Sequence, residues 1–329
     1  MEKISDFLHF NLENKEECHM NQKIKGVILN PVNAIFLASA LIFFLPDLTE
    51  KDSGYPLYTF ILIAVLELLH IVIAASVKKP EFRRTASQII GIIISVMGVW
   101  ELLTAKLNIL PQAMFPSPEI VLHQLLDDSD RLLTDVLYSL SVILKGYIPA
   151  LVLGIVFGLI CGWNKTLCSP LTYVSAFLKQ IPPIVYIPYA IALLPLYSMV
   201  SAFIIFAASF WPIFSCTFSG VANVDKHILD SASVLKLSTP SMLANVIFPA
   251  SLPEIFIGCN QGLAYSFILL TSAEMIGGNS GIGYYIKYYS DFGDFKRIIV
   301  GIIVIGIVIT IFTFAVNKLQ IFLLRWRKR

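Results

Sequence analysis

The sequence predicts an all-α polytopic membrane protein, and three observations carry that prediction. Of 329 residues, 57% are hydrophobic and only 14% charged, with a mean hydropathy of +0.77, whereas a soluble domain carries about 25% charged residues. Several apolar stretches reach the ~20 residues that a helix needs to cross ~30 Å of hydrocarbon. Between two of them, residues 221–253 read VANVDKHILDSASVLKLSTPSMLANVIFPASLP. In that polar interruption Asp225, Lys226, Asp230 and Lys236 would each cost roughly 2.5–3.5 kcal/mol at a helix centre in lipid, so the segment must face water or a partner.

Taken in order, residues 1–24 are too charged for a cleaved leader and read either as a surface amphipathic helix or as a disordered tail. Spans are expected near 26–46, 56–77, 88–106, 137–162, 170–195, 199–220, 254–276 and 298–322. The fifth is broken repeatedly by Pro182, Pro183, Pro188 and Pro195, with Tyr197 and Ser198 at the tip before the sixth. Within the interruption, Lys226–Leu237 and Pro240–Phe248 are expected as two short helices. Ser238 or Thr239 would cap the second, Pro240 suits its first turn, and Pro249 and Pro253 would reset the chain before the next span.

Basic residues set the orientation. With an even number of spans both termini share a side, which holds Lys3, Lys15, Lys23, Lys25, the Lys78–Arg84 loop, Lys165, Lys226, Lys236 and the Arg325–Arg329 tail. That side is expected to be cytoplasmic, and the interruption with it. The opposite loops carry Asp47, Glu50, Asp52, Asp127, Asp128, Asp130 and Asp135. The localisation expected is a membrane, multi-pass, with both termini cytoplasmic.

A formal charge of +2 gives no footing for nucleic acid. Cys18, Cys161, Cys168, Cys216 and Cys259 show no CxxC spacing, and the five histidines form no HExxH, Ser/His/Asp or Cys/His arrangement. No GxxxxGK[ST] loop is present, so nucleotide hydrolysis by the P-loop mechanism needs a second chain. The run Gly277-Gly278-Asn279-Ser280-Gly281-Ile282-Gly283 follows an apolar span rather than a strand, so it reads as a flexible external loop and not as a dinucleotide cradle. Gly154, Gly158 and Gly162, then Gly258 and Gly262, recur every fourth residue and predict close helix packing. Glu67, His70, Glu101, Lys145 and Lys179 are the ionisable residues within or bordering spans. Lys179 precedes the proline-rich break and is the first cation to test against an anionic substrate.

In the interruption, Asp230-Ser231-Ala232, then Lys236, then Val246-Ile247-Phe248-Pro249 resembles the EAA signature of bacterial ABC-importer permeases. That signature runs Glu-Ala-Ala, three residues, Gly, nine residues, Ile-x-Leu-Pro, and the spacing is matched throughout. Lys236 stands where the signature has glycine. The stretches 115–120 (FPSPEI), Ser139-Leu140 with Gly146, 179–189 (KQIPPIVYIPY) and Ala273-Glu274 with Gly281-Ile282-Gly283 resemble further elements of the nitrate/sulfonate/taurine-type permeases. The likeness runs from about Trp100 to Arg325 and leaves out the first two spans.

The resemblance implies a type I importer core of about six spans over 86–325, preceded by two extra spans over 25–85 and followed by a basic tail at 326–329. It implies a non-enzymatic permease subunit, working with ABC ATPase subunits, an extracellular or periplasmic solute-binding protein and a second permease, identical or not. ATP and Mg²⁺ would reside on the ATPase, with no cofactor in this chain. Asp230, Ser231, Ala232, Lys236, Val246, Phe248 and Pro249 would form the ATPase-coupling loop. Asp230 would cap or pair across the interface, Ser231 and Ala232 would permit close approach, and the last three would set the angle of return to the membrane. Lys179, Pro182, Pro183 and Glu274 are candidates for the substrate path or its gating, and Glu274 would anchor the 277–283 loop by hydrogen bonds. If the glycine position is left-handed, a lysine there costs roughly 1–2 kcal/mol, and Lys236→Gly should preserve or raise transport. The alternative is an ion-gradient-driven secondary transporter or channel, for which Glu67, His70 or Glu101 would be essential. Substrates of the family include nitrate, sulfonates, taurine and vitamin precursors, and the sequence does not choose among them.

Overall fold

The computed structural model describes residues 30–45, 56–77 and 79–324. The N-terminal segment, the acidic residues Asp47, Glu50 and Asp52 and the basic tail lie outside the described residues. Proline marks the helix starts of the first part: α1 (Pro31–Phe44), α2 (Pro56–Ser76), α3 (Pro80–Glu101) and α4 (Pro118–Asp127) each begin on one. Its fixed φ and missing N–H suit a first helical position.

These four helices, with residues 295–300, make one compact unit. Val32, Ile63, Ile90 and Ile94 form its apolar core. α1 lies close on α3 at Gly98, where a Cβ would come within 2.7 Å of Ser39 Oγ. Both ends of α1 are tied by polar groups. Asn30 caps it, accepting from the Val32 N–H at 3.2 Å, and its Nδ2 lies 3.2 Å from His70 Nε2 on α2. At the other end Lys106, in a π turn (Leu102–Lys106) that continues α3, donates to the carbonyls of Phe43 and Leu45 at 3.1 and 2.8 Å. Glu67 stands 3.6 Å from His70 Nδ1. The pair thus sits in a helix contact between the extra N-terminal segments.

Each of the eight stretches expected as spans is helical where it is described. Fourteen residues extend α1 only about 21 Å, short of the ~30 Å hydrocarbon core. Among the described residues six helices are long and apolar enough to cross, or seven if a bent pair is one span.

The second unit covers 128–294 and 301–329. It contains α5 (Ser129–Trp163), α6 (Lys165–Gln180), a 3₁₀ turn (Pro183–Tyr186), α7 (Ile187–Leu193), α8 (Tyr197–Ala222), α9 (Lys226–Val234), α10 (Thr239–Met242), α11 (Phe248–Gly277), α12 (Ile282–Asp291) and most of α13 (Phe295–Leu323). α8 packs along both α5 and α11. The four-residue glycine spacing explains how: a Cβ on Gly158 would meet Thr217 Cβ at 2.6 Å, and one on Gly258 would meet Cys216 Cβ at 2.8 Å. Without side chains at these points the helix backbones approach closely. Buried hydroxyls add polar ties, Ser209 Oγ lying 2.7 Å from Ser266 Oγ and 3.2 Å from the Gly262 carbonyl. The proline-rich fifth stretch is bent by 75° between its two halves, 170–180 and 183–193, as the loss of N–H donors at Pro182 and Pro183 requires.

Candidate functional site

The polar interruption folds as a helical hairpin on the ends of α8 and α11. Asp225 caps α9, its Oδ1 accepting the His227 N–H at 2.8 Å. Asp230 is exposed in mid-helix, and its carbonyl accepts from Ser233 Oγ at 2.6 Å. The turn after α9 closes through Leu235 N–H to the Ala232 carbonyl and Lys236 N–H to the Ser233 carbonyl, both 3.1 Å. Lys236 then takes φ +47°, the left-handed region, so the residue standing at the signature's glycine does adopt the backbone that favours glycine.

Two expectations for this segment are corrected. Ala232 does not face outward: it is 6% exposed and packs against Val221, Met242 and Ile247. Its small side chain therefore lets α9 lie flat on the hairpin's own core, while Ser231, exposed, donates to the His227 carbonyl at 2.8 Å. Nor do Pro249 and Pro253 reset the chain. Helix runs without interruption from Thr239 to Gly277, 39 residues, with a π turn over Leu243–Ile247 placing Pro249 in the first turn of α11. Val246, Phe248 and Pro249 are partly buried within this continuous helix. Ser238 holds the N-cap position of α10, but its hydroxyl bonds the Ser241 hydroxyl at 3.1 Å.

The hairpin's outward face is mostly polar, with two strongly exposed apolar residues at its turn. Val234 is 79% and Leu235 70% exposed, next to the exposed Lys236. The hairpin is set firmly on its spans: a Cβ on Gly220 would lie 2.8 Å from Glu254 Cβ, so α8 and α11 touch just below it. Between α9 and α11 a cavity of about 480 Å³ is lined by Asn223, Asp225, Asn245, Val246, Pro249 and Glu254.

A second cavity, of about 200 Å³, opens at the break between α6 and α7 and brings together Lys179, Pro182 and Pro183 with Tyr186, Trp211 and Tyr265. The sequence singled out the first three. The aromatic residues were missed because Trp211 and Tyr265 belong to other helices, and only the tertiary fold places them there.

Glu274 belongs to neither cavity of these two. It is 3% exposed near the end of α11 and accepts hydrogen bonds from Ser139 Oγ at 2.7 Å and the Gly283 N–H at 2.9 Å. The same Ser139 Oγ accepts the Ile282 N–H at 3.1 Å, and Asp135 Oδ1 accepts the Gly281 N–H at 3.0 Å. Three consecutive backbone donors thus converge on three side chains. Gly281 adopts φ +103°, and a Cβ there would fall 2.2 Å from Glu274 Oε1. The expectation of a flexible 277–283 loop is corrected, since its last three residues are buried and fastened. Beyond them, the Tyr285 hydroxyl donates to Asp128 Oδ2 at 2.6 Å, and Arg131 donates to the Tyr289 hydroxyl at 2.7 Å with its guanidinium 5.1–5.4 Å from three tyrosine rings. The sequence fragments Ser139, Glu274 and 281–283, quoted separately above, are parts of one network.

Comparison with known proteins bears on the same half of the chain. A family model described as binding-protein-dependent transport system inner membrane component matches residues 154–329. A probable ABC transporter permease protein of Brucella melitensis is 32% identical over 213 residues, covering 64% of this chain and 85% of its own. The nitrate import permease protein NrtB of Synechocystis sp. is 34% identical over 170 residues, 52% of this chain and 62% of its own. A putative aliphatic sulfonates transport permease protein, SsuC, of Bacillus subtilis is 25% identical over 258 residues, 77% and 93% of the two chains.

Proposed function

The chain belongs to the family of binding-protein-dependent transport system inner membrane components, a multi-pass permease component of an ABC transport system and not an enzyme, and from that premise we propose that its hairpin receives the motion of a separate ATPase. In this reading a solute delivered by an external binding protein crosses between two permease subunits. ATP and Mg²⁺ belong to the ATPase. The hairpin and both termini face the cytoplasm, and the 277–283 region faces the binding protein.

The observation that carries the reading is the hairpin itself. Its exposed Val234 and Leu235 offer an apolar contact, its turn is held by backbone bonds at Leu235 and Lys236, and it joins two spans in direct contact at Gly220 and Glu254. A rigid body pushed at such a tip moves the spans with it, because packed helices shift as units rather than deform.

The test is co-purification and transport. The chain should retain an ATPase subunit through purification in detergent, and uptake in proteoliposomes should require ATP on the hairpin side. Nucleotide-independent uptake by the purified chain alone would overturn the reading in favour of a gradient-driven carrier. Orientation is checked separately: a cysteine placed at Lys236 should react with a membrane-impermeant maleimide only in inside-out vesicles.

A further inference from the structure

The cavity at the α6–α7 break has a chemistry that goes beyond transport in general. Its lining contains no Asp, Glu, Asn, Gln, Ser or Thr. Its polar side chains are donors: the Lys179 ammonium, the Trp211 indole N–H, and the hydroxyls of Tyr186 and Tyr265, which both donate and accept. Among the described residues Lys179 makes no ion pair, and neither the Trp211 indole nor either tyrosine hydroxyl has a hydrogen-bond partner in the chain. Lys179 and Tyr265 are exposed, so an entering ligand meets one cation without an ion-pair partner and several unused donors, a set complementary to a single negative charge.

The rest of the lining is flat and apolar. Pro182, Pro183 and Pro212 line it together with the rings of Trp211, Tyr186 and Tyr265. Trp211 is held in place by edge-on contacts to Phe210 and Phe214, with centroids 5.0 and 6.0 Å apart. A ring fixed in this way stacks on a planar partner at low entropic cost. The volume of about 200 Å³ is well beyond what a single water needs. A bare inorganic anion would fill little of it and would leave its remaining oxygens facing apolar surface, which costs free energy.

Resting on the permease reading above, we propose that this cavity is a substrate subsite for small organic monoanions with a planar or aromatic body, Lys179 meeting the anionic group and Trp211 with Tyr265 holding the ring, and that it selects against inorganic oxyanions.

The experiment uses the full chain in lipid nanodiscs, without nucleotide, and follows tryptophan emission during titration with benzoate. Benzamide supplies the ring without the charge, acetate and nitrate the charge without the ring. Benzoate should give a saturable change that Trp211→Phe removes, and the other three probes should bind at least about tenfold more weakly. Lys179→Gln should bring benzoate down to the level of benzamide, while Lys179→Arg should keep most of the difference. Variants are compared only where thermal unfolding matches the unsubstituted protein, and Tyr265→Ala provides a second route to the same loss of ring selectivity. Nitrate or acetate binding as tightly as benzoate, equal binding of benzamide, or the absence of any saturable benzoate response would each overturn the proposal. Because the measurement needs no ATPase, failure of ATPase retention leaves its result standing, and its failure leaves the ATPase reading intact.

Discussion

The two ends of α11 are built on opposite principles. At the hairpin end the chain exposes Val234 and Leu235, accepts a left-handed lysine, and closes its turn through local backbone bonds. At the other end three backbone donors, Gly281 to Gly283, are each bound by a side chain from α5 or α11, and a glycine conformation is filled to contact by Glu274. One end spends stability on an outward surface; the other is fixed from within. The difference teaches where this subunit is made to be touched and where it is made to hold its shape.

The sharpest way to break the comparison is Gly281→Val. It places a β-branched side chain at φ +103° against the Glu274 carboxylate, and should cost about 4 kcal/mol through backbone strain and overpacking together, read as a large drop in Tm of the purified protein. Leu235→Asp should do the reverse, leaving Tm nearly unchanged while weakening ATPase retention by about 2 kcal/mol, roughly 30-fold, in a pull-down titration. Equal loss of Tm in both variants would erase the contrast between the ends.

Smaller changes sharpen it. Asp225→Ala removes the α9 cap and should destabilise the hairpin by about 1 kcal/mol, visible as faster proteolysis within 226–237 with global Tm barely altered. Lys236→Gly should relieve backbone strain at φ +47° against the entropy of a glycine, a net gain of about 0.5 kcal/mol. Transport should be preserved or raised. A complex that loses its ATPase on that change would show that the lysine side chain, not the turn, carries the contact.

How much of this was legible in the sequence depends on the range of the interaction. The hairpin was readable because its signals are local: charges that lipid rejects, a turn at Lys236 and a fixed residue spacing. Ala232 reads as part of an outward contact because a small residue suits a tight contact on either side, and only the packing on Met242 and Ile247 decides. Pro249 and Pro253 read as breaks, yet a π turn re-registers the helix so that Pro249 falls where no N–H is needed. The grip of Asp135 on Gly281 spans 146 residues, and no periodicity or motif reports a bond over that separation. The aromatic wall of the α6–α7 cavity was hidden for the same reason, since Trp211 and Tyr265 read as ordinary apolar-face residues of their spans.

The unbroken helix from Thr239 to Gly277 has a mechanical meaning. Its 39 residues measure about 58 Å at 1.5 Å per residue, and its two ends carry the exposed hairpin and the Glu274 grip. A beam of that length, tilted by about 5° around its middle, swings each end by about 2–3 Å in opposite directions. That is on the scale of a hydrogen-bond length, so a small nudge at one membrane surface becomes, at the other, the difference between a bond kept and a bond let go.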